Sequence, residues 1–398
     1  MNNPDSNILY QGQFSSQGLG TLDVCIRTKF ETLEKNWLSL EADGVCSLYQ
    51  RYHWTKAWYE NVGAPARFSP RLIEVSRHGE TLCILPMGLR KRGPFTILTW
   101  LGDTHTNFHM GLYSPELLKS AKPDDIRSLI DFIVKKVGHA DVLELCCQPV
   151  VWRGHTNPFT FLKWQESHNH SFALELSSDL NSVLDRKNGA RKRKKHRWQT
   201  NKLKEYGGAK LLIAKTPEDV DRVLQTSMQQ MSQRFDRSGI WNRFEDIGVG
   251  DFFREMAIAQ LDEQEPALLL YGLEIDGELQ ATFAGGVSQK QFSGCFISLT
   301  DGEFSKISPG ELMIYLVIED CVKKGLEVFD LGRGEERYKT SWCDVTIPMF
   351  DTAIALTKLG ILFALYERIK SAAKRIVRNN SSLWNLAKKV RARLYGRV

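Results

Sequence analysis

The apolar pattern of this chain passes through one order of elements twice, and few folds accommodate that order. In the second half, Leu268 to Ile275 reads as a strand, Asp276-Gly277 as a hairpin turn and Leu279 to Val287 as the partner strand. Phe292 to Thr300 reads as a third strand, and an apolar helix and a strand from Val328 to Leu331 follow. The first half repeats this: Arg71 to Ser76, the turn His78-Gly79, Thr81 to Leu89, Phe95 to Leu101, a helix from Asp124 to Lys136, Gly138, and Val142 to Leu145. Helical patterns precede each copy, Lys29 to Glu41 with Tyr52 to Asn61 in the first and Pro217 to Phe235 with Asp251 to Leu261 in the second. A sheet needs its apolar faces covered, and these helices supply the cover. The expected fold is α+β in mixed αβα layers: two tandem domains, each a mostly antiparallel twisted sheet flanked by helices, plus basic C-terminal helices. With 398 residues there is material for two cores. The expected boundaries are 1–180, a connector helix over 181–208, a second domain over 209–350 and a tail over 351–398.

The copies differ after their third strands. In the second, Ser308, Pro309 and Glu311 read as an N-cap, a first-turn proline and the acid of a capping box, and Gly325 reads as the helix stop. A helix start aimed back at a strand end suits a pyrophosphate, and Gly310 is expected to leave room for it. The first copy has the loop GDTHTNFHMGLYSPELLKSAKPDD instead. His105, His109 and Asp103 lie in that loop without a helical spacing to gather them around a metal, so loop or surface histidines are expected and no metal site is assigned. The eight cysteines include no C-x-x-C pair and read as free thiols. No P-loop, nucleophile elbow or dinucleotide fingerprint is present.

The net charge is +6, unevenly placed. Residues 186–204 hold ten Lys or Arg and no acid, and residues 358–398 hold eleven against the single acid Glu367, so the rest of the chain carries −14. Two basic elements on an acidic body point to polyanions or an anionic surface, although a solvated basic helix accounts for the first equally well. The tail reads as an amphipathic helix with Leu362, Leu365, Tyr366, Ile369, Ala373 and Ile376 on one side. That face either docks on the protein or lies in a membrane interface. The start lacks a secretory pattern and no segment is a membrane span, so the expectation is a cytoplasmic protein, peripheral on the inner membrane face through its tail.

The run from Arg191 to Trp342 contains RKRKKHRW, FFREMAIAQL, LEIDGELQATFAGG, SPGELMIY and FDLGRGEERYKTSW. It resembles the acetyltransferase domain of the CelD/BcsL type within the GNAT superfamily, and the doubled order resembles the FemABX peptidyltransferases, which carry two GNAT-like halves. The resemblance implies acyl transfer from acetyl-CoA or another acyl-CoA to an amine or hydroxyl, with the acceptor an amino sugar or lipid-linked saccharide of exopolysaccharide or cell-envelope synthesis. It places the pantetheine arm along Ile297, Ser298, Leu299 and Thr300, and the pyrophosphate against Lys306, Ser308, Pro309, Gly310 and Glu311. The chain departs from the family's Q/R-x-x-G-x-G/A loop, and Pro309 lacks an N–H. Glu335 is the first candidate for the base among the acids near the site, with Asp330 beside it and Tyr338 as proton donor. Arg333 and Lys339 suit phosphate or carboxylate, and Trp342 completes the substrate group. Two other readings stay open: an aminoacyl-tRNA-dependent transferase whose basic helix holds the RNA, and a non-catalytic scaffold that binds a polyanion or membrane.

Overall fold

In a computed structural model of the chain, residues 7–238, 241–259, 261 and 267–379 are described. Among them the first unit spans residues 7–168 and 348–379, and the second spans residues 169–347. In chain order the first unit begins with the hairpin β1 (Ile8–Ser16) and β2 (Gly20–Arg27), then α1 (Glu34–Asp43) and α2 (Tyr52–Trp58). It continues with β3 (Ser69–Arg77), β4 (Glu80–Arg92), β5 (Phe95–Trp100), α3 (Pro123–Val134) and β6 (Val142–Pro149). The second unit holds β7 (Ser171–Glu175), α4 (Gly189–Leu203), β8 (Ala209–Ile213), α5 (Pro217–Ser238), α6 (Val249–Ile258), β9 (Leu269–Ile275), β10 (Glu278–Ser288) and β11 (Gln291–Leu299). It ends with α7 (Pro309–Lys323), β12 (Val328–Arg333), α8 (Arg337–Trp342) and β13 (Val345–Ile347), after which β14 (Met349–Ala355) and α9 (Lys358–Asn379) return to the first unit.

The α+β class and the doubled order are both present. The first sheet runs β1-β2-β3-β4-β5-β6-β14, with the two-residue strands Gln165–Glu166 added on β14 and Leu112–Tyr113 on β4, and the second β8-β9-β10-β11-β12-β7-β13, antiparallel except at one junction in each. Those junctions position the site. β5 pairs in parallel with β6 at Ile97↔Val142 and Leu98↔Leu143 alone. β11 pairs in parallel with β12 only at Gln291↔Val328, Phe292↔Phe329 and Ser293↔Asp330. Beyond these residues β11 stays on β10 while β12 pairs with β7, so the two strands part and the sheet opens between Ile297 and Leu331. The sheet takes β7 from before the basic helix, and the first sheet takes β14 from after residue 347. Local pattern carries no information on such distant partners.

Strand alternation sends Thr282 and Ser298 toward α5 and Phe283 and Ile297 into the core under α7. The N-terminal hairpin β1–β2 was not anticipated from the sequence, although Ile8, Tyr10, Gly12 and Phe14 alternate as a half-buried strand should. His105 and His109 lie in the loop, as expected, but are buried in it and not on the surface. The His109 backbone N–H donates to the Cys147 carbonyl at 3.0 Å and its Nδ1 faces the Cys146 carbonyl at 3.0 Å, while Nε2 meets the Thr106 hydroxyl at 2.6 Å. The first unit's own loop therefore pairs with β6 beyond the point where β5 leaves it.

The tail forms the expected helix, α9. It seats Gly360, Phe363 and Ala364 on the first unit, and a Cβ at Gly360 would stand 1.9 Å from the Asp141 carbonyl oxygen, so only glycine permits this approach. Phe363 packs on Phe95, and Arg92 binds Glu367 at 3.4 Å. Ile361, Leu362, Leu365, Tyr366 and Ile369 are each more than half exposed, so the apolar stripe is not the face that seats the helix. The side chains of Ala373 and Ile376, and the second turn of the pattern from Leu383 on, lie outside the described residues.

Candidate functional site

The helix start after β11 forms by a different route from the one its sequence suggests. A 3-10 turn (Glu303–Ile307) follows the strand, and Ser308 takes the left-handed conformation, φ 58° and ψ 63°, with no side-chain cap bond. The capping box is absent. Glu311 instead pairs with Lys195 of α4, and Gln199 of α4 donates to the carbonyls of Ile307 at 2.7 Å and Ser308 at 3.1 Å. A basic helix clamps the turn, and its amide fixes both carbonyls. Pro309 occupies the first helical position as expected, and the N–H groups of Glu311 and Leu312 turn back to the Ser308 carbonyl at 3.1 and 3.4 Å. The helix stop at Gly325 is a Schellman motif, with Gly325 N–H on the Val322 carbonyl at 3.0 Å and Leu326 N–H on that of Cys321 at 3.1 Å. Gly310 does not leave an empty space: a Cβ there would lie 2.8 Å from Leu299 Cδ2, so the side chain of Leu299 occupies the room.

Of the strand residues assigned to the donor, Leu299 is exposed, Ile297 and Thr300 are half-buried, and Ser298 is buried and points away from α7. The Ser298 hydroxyl donates to Gln230 Oε1 at 2.6 Å and meets Thr282 Oγ1 at 2.5 Å. Thr282 meets Ser227 at 2.6 Å, and Gln230 Nε2 donates to Thr300 Oγ1 at 2.5 Å and to the Leu279 carbonyl at 2.9 Å. This fully bonded polar chain ties α5 to the last residues of β11. Its signal in the sequence, Ser227 and Gln230 one turn apart on an apolar face, is weak because isolated polar residues on helices are common. Lys306 is exposed at the turn.

At the end of β12 the chain brings Asp330, Arg333, Glu335, Tyr338, Lys339 and Trp342 into one strand–turn–helix segment. Asp330 is wholly buried. Its Oδ1 accepts from Gly332 N–H at 2.8 Å and from the Ser171 hydroxyl at 3.2 Å, while Oδ2 has no hydrogen-bond partner among the described residues. Burial pushes this carboxyl up to about 7, against the opposing pull of the Gly332 N–H and the Lys339 ammonium. Lys339 is buried too, and burial lowers its ammonium. Its Nζ donates to the carbonyls of Gly332 at 3.3 Å and Arg333, and binds Glu336 at 3.0 Å. The pair thus fixes the turn Gly332–Gly334 from beneath, and Ser171 arrives from β7, which sequence reasoning had placed with the first copy. Tyr338 is half-buried, its hydroxyl raised by burial, and Glu335 is exposed at the turn. Trp342 is buried with Lys192 Nζ 4.4 Å over its ring.

Residues 190–340 match the acetyltransferase (GNAT) domain family. The chain therefore carries a GNAT acetyltransferase domain with a GNAT-type acyltransferase fold, and the parted strands and following helix belong to it. In fold the chain is similar to FemX, at 12% identity and a TM-score of 0.55, with 80% of this chain and 95% of that chain covered. It is also similar to a C-terminal domain assigned to a lysylphosphatidylglycerol synthetase from Agrobacterium fabrum, at 11% identity, TM-score 0.53 and coverage of 86% and 96%. L-PGS from Bacillus licheniformis follows at 12% identity and TM-score 0.50, covering 85% and 96%. Comparison with curated protein sequences returns no match. No described helix is long and apolar enough to cross a membrane.

Proposed function

We propose that the second unit transfers an acetyl or other acyl group from acyl-CoA to an amine or hydroxyl, and that it is of the CelD/BcsL type. The observation that carries this reading is the parting of β11 from β12 beside the α7 start: an extended thioester arm has backbone to lie along at Ile297 to Leu299, and its phosphates meet Lys306 and the first turn. Glu335, exposed at the turn, takes the amine proton, and Tyr338 gives a proton to the leaving thiolate. Asp330 and Lys339 hold the turn that presents both. The first unit, its strand gap paired to its own loop, lacks a donor site. The acceptor proposed from the sequence resemblance is an amino sugar or saccharide intermediate of exopolysaccharide or cell-envelope synthesis. Titration of the full chain with acetyl-CoA should show saturable binding that weakens at least about tenfold in Ser308→Glu, which sets a carboxylate against the phosphates. Equal affinity in wild type and variant would remove this site from consideration.

The tail supports work at an anionic membrane surface. The exposed apolar stripe of α9 and the excess of bases over residues 358–398 suit an interfacial helix, each base near the surface contributing about 1 kcal/mol. Co-sedimentation with vesicles containing anionic phospholipid should fall at least about fivefold in Leu362→Asp/Leu365→Asp, since burying two acids in the interface costs well over 1 kcal/mol. Retained sedimentation would show that α9 is not the contact.

A further inference from the structure

The basic helix α4 divides into cations that hold carboxylates and cations that do not. Arg193 binds Asp185 at 2.6 Å, Lys195 binds Glu311, and Arg186, just upstream, binds Glu175 at 2.6 Å. Lys187 and Lys192 are held differently. The Lys187 ammonium donates to the Cys343 carbonyl at 2.8 Å, and that of Lys192 donates to the Lys187 carbonyl at 2.6 Å while lying over the Trp342 ring. Neither has a carboxylate at ion-pair distance among the described residues. Lys192 is half-buried, and burial together with the neighbouring Lys187 charge brings it down to about 8. Asp344 and Glu311 act on Lys192 only from beyond ion-pair distance, and a half-buried cation beside another cation is better stabilised when something negative joins it directly.

Its surroundings are concave. A cleft opens where α4 crosses α7 and α8, with Trp342 and Tyr315 as its walls, Asn188, Arg191 and Lys192 around it, and the Lys195–Glu311 ion pair at its edge. Tyr315 is fixed from the other side by the His196 ring stacked on it at 4.0 Å and 6°, and stands edge-on to Trp342 at 6.4 Å. The cleft also receives the first turn of α4, which contains no acid, although a helix start favours negative charge. Arg191 and Lys192 sit on that turn, where their charges oppose the helix dipole. Two cations that hold no carboxylate among the described residues, Arg191 and Lys192, and a helix start over two aromatic rings match a doubly charged, multi-oxygen group better than a single carboxylate.

We propose that the cleft between α4, α7 and α8 binds a phosphate ester, with Lys192 and Arg191 as its principal cations and the Trp342 ring as its wall. This goes beyond the donor assignment, because Lys192, Arg191 and Trp342 lie outside the α7 turn, which the cleft touches through Glu311. The phosphate comes either from the nucleotide part of a small donor or from an RNA backbone, and one set of titrations separates them. Inorganic pyrophosphate should bind the full wild-type chain, and Lys192→Met and the exposed-site variant Arg191→Gln should each weaken it at least about tenfold while circular dichroism stays unchanged. Equal pyrophosphate affinity in wild type and both variants overturns the site, as does wild-type binding too weak to saturate. If acetyl-CoA weakens in the variants and its 3′-dephospho form does not, the donor supplies the phosphate. If a short single-stranded RNA weakens with a reduced salt slope and acetyl-CoA is unaffected, the RNA supplies it. Pyrophosphate binding that depends on Lys192 in a chain that fails to bind acetyl-CoA would leave this site standing and remove the acyl-CoA reading.

Discussion

Replacing Asp330 by asparagine is expected to abolish a fall in stability that the wild-type protein shows between about pH 4 and pH 7. The wild-type carboxyl is buried, has one unpartnered oxygen and is pushed up to about 7 by desolvation, above its value in an unfolded chain. Between those two values the folded form holds more protons than the unfolded form. The contribution is thus fully present below pH 4 and is lost as pH rises through 7. A displacement of about three pH units, with the attraction to the Lys339 ammonium already included, is worth about 4 kcal/mol at most, and about 2–4 kcal/mol is the expected span. Lys339, lowered by burial, titrates with the opposite sign. Asparagine has no such slope. Its Nδ2 would occupy the place of an oxygen that has no partner, an unmet donor costing about 1–3 kcal/mol, so the variant should be the less stable at pH 4 and approach or overtake wild type near neutrality. Urea unfolding of both proteins across pH 4–8 tests this, and parallel profiles would show that Asp330 does not titrate in that window.

The sequence made the strands legible because their turns are explicit. Asp276-Gly277 and His78-Gly79 fix two hairpins, and Asp276 and His78 both adopt positive φ as their positions require. It could not disclose that β7 and β14 would each finish a sheet, since a strand of five to seven residues looks the same whichever edge it joins. The helix start at Ser308 failed as a prediction for a different reason. The local pattern S-P-G-E satisfies every rule for a capping box, but Lys195 takes the glutamate and Gln199 takes the serine carbonyl, so tertiary partners replace local ones. The spacing of the histidines in the first-copy loop says nothing of a loop folded inward to pair with strand carbonyls. The catalytic candidates were legible as one segment, D-x-x-R-G-E-x-x-Y-K-x-x-W, because chain proximity alone gathers them. The depth of each was not: Asp330 and Glu335 are five residues apart, one wholly buried and one exposed.

Gly285→Ala should lower stability by about 3 kcal/mol and remove acyl-donor binding with it. Gly285 on β10 faces Gly294 on β11 just past a register shift, and the ring of Phe292 lies across it. A Cβ at Gly285 would stand 2.2 Å from Phe292 Cζ and 2.6 Å from Cε1, closer than any relaxed contact. The ring cannot simply turn aside. It is fully buried, stacks on Phe329 at 5.1 Å and 7°, and meets Phe283 at 5.7 Å and Tyr271 at 6.1 Å. Phe292 and Phe329 are also the middle register pair of the short parallel junction, so displacing one ring strains the contact next to Ser293↔Asp330, where β11 and β12 part. On the other side Gly294 has little slack, since a Cβ there would lie 3.1 Å from the Asp330 carbonyl oxygen. The junction is therefore packed from three sides, and added volume has to open it. Trimming the ring supplies the control: Phe292→Leu alone leaves a cavity costing about 1–3 kcal/mol, whereas Gly285→Ala/Phe292→Leu should recover part of both losses, a coupling of about 1–2 kcal/mol. Thermal and urea unfolding of the four proteins measure that coupling, with acetyl-CoA titration read in parallel. Additive losses would mean that the glycine is not there to admit the ring, and that the parting of the strands is held by something other than this aromatic stack.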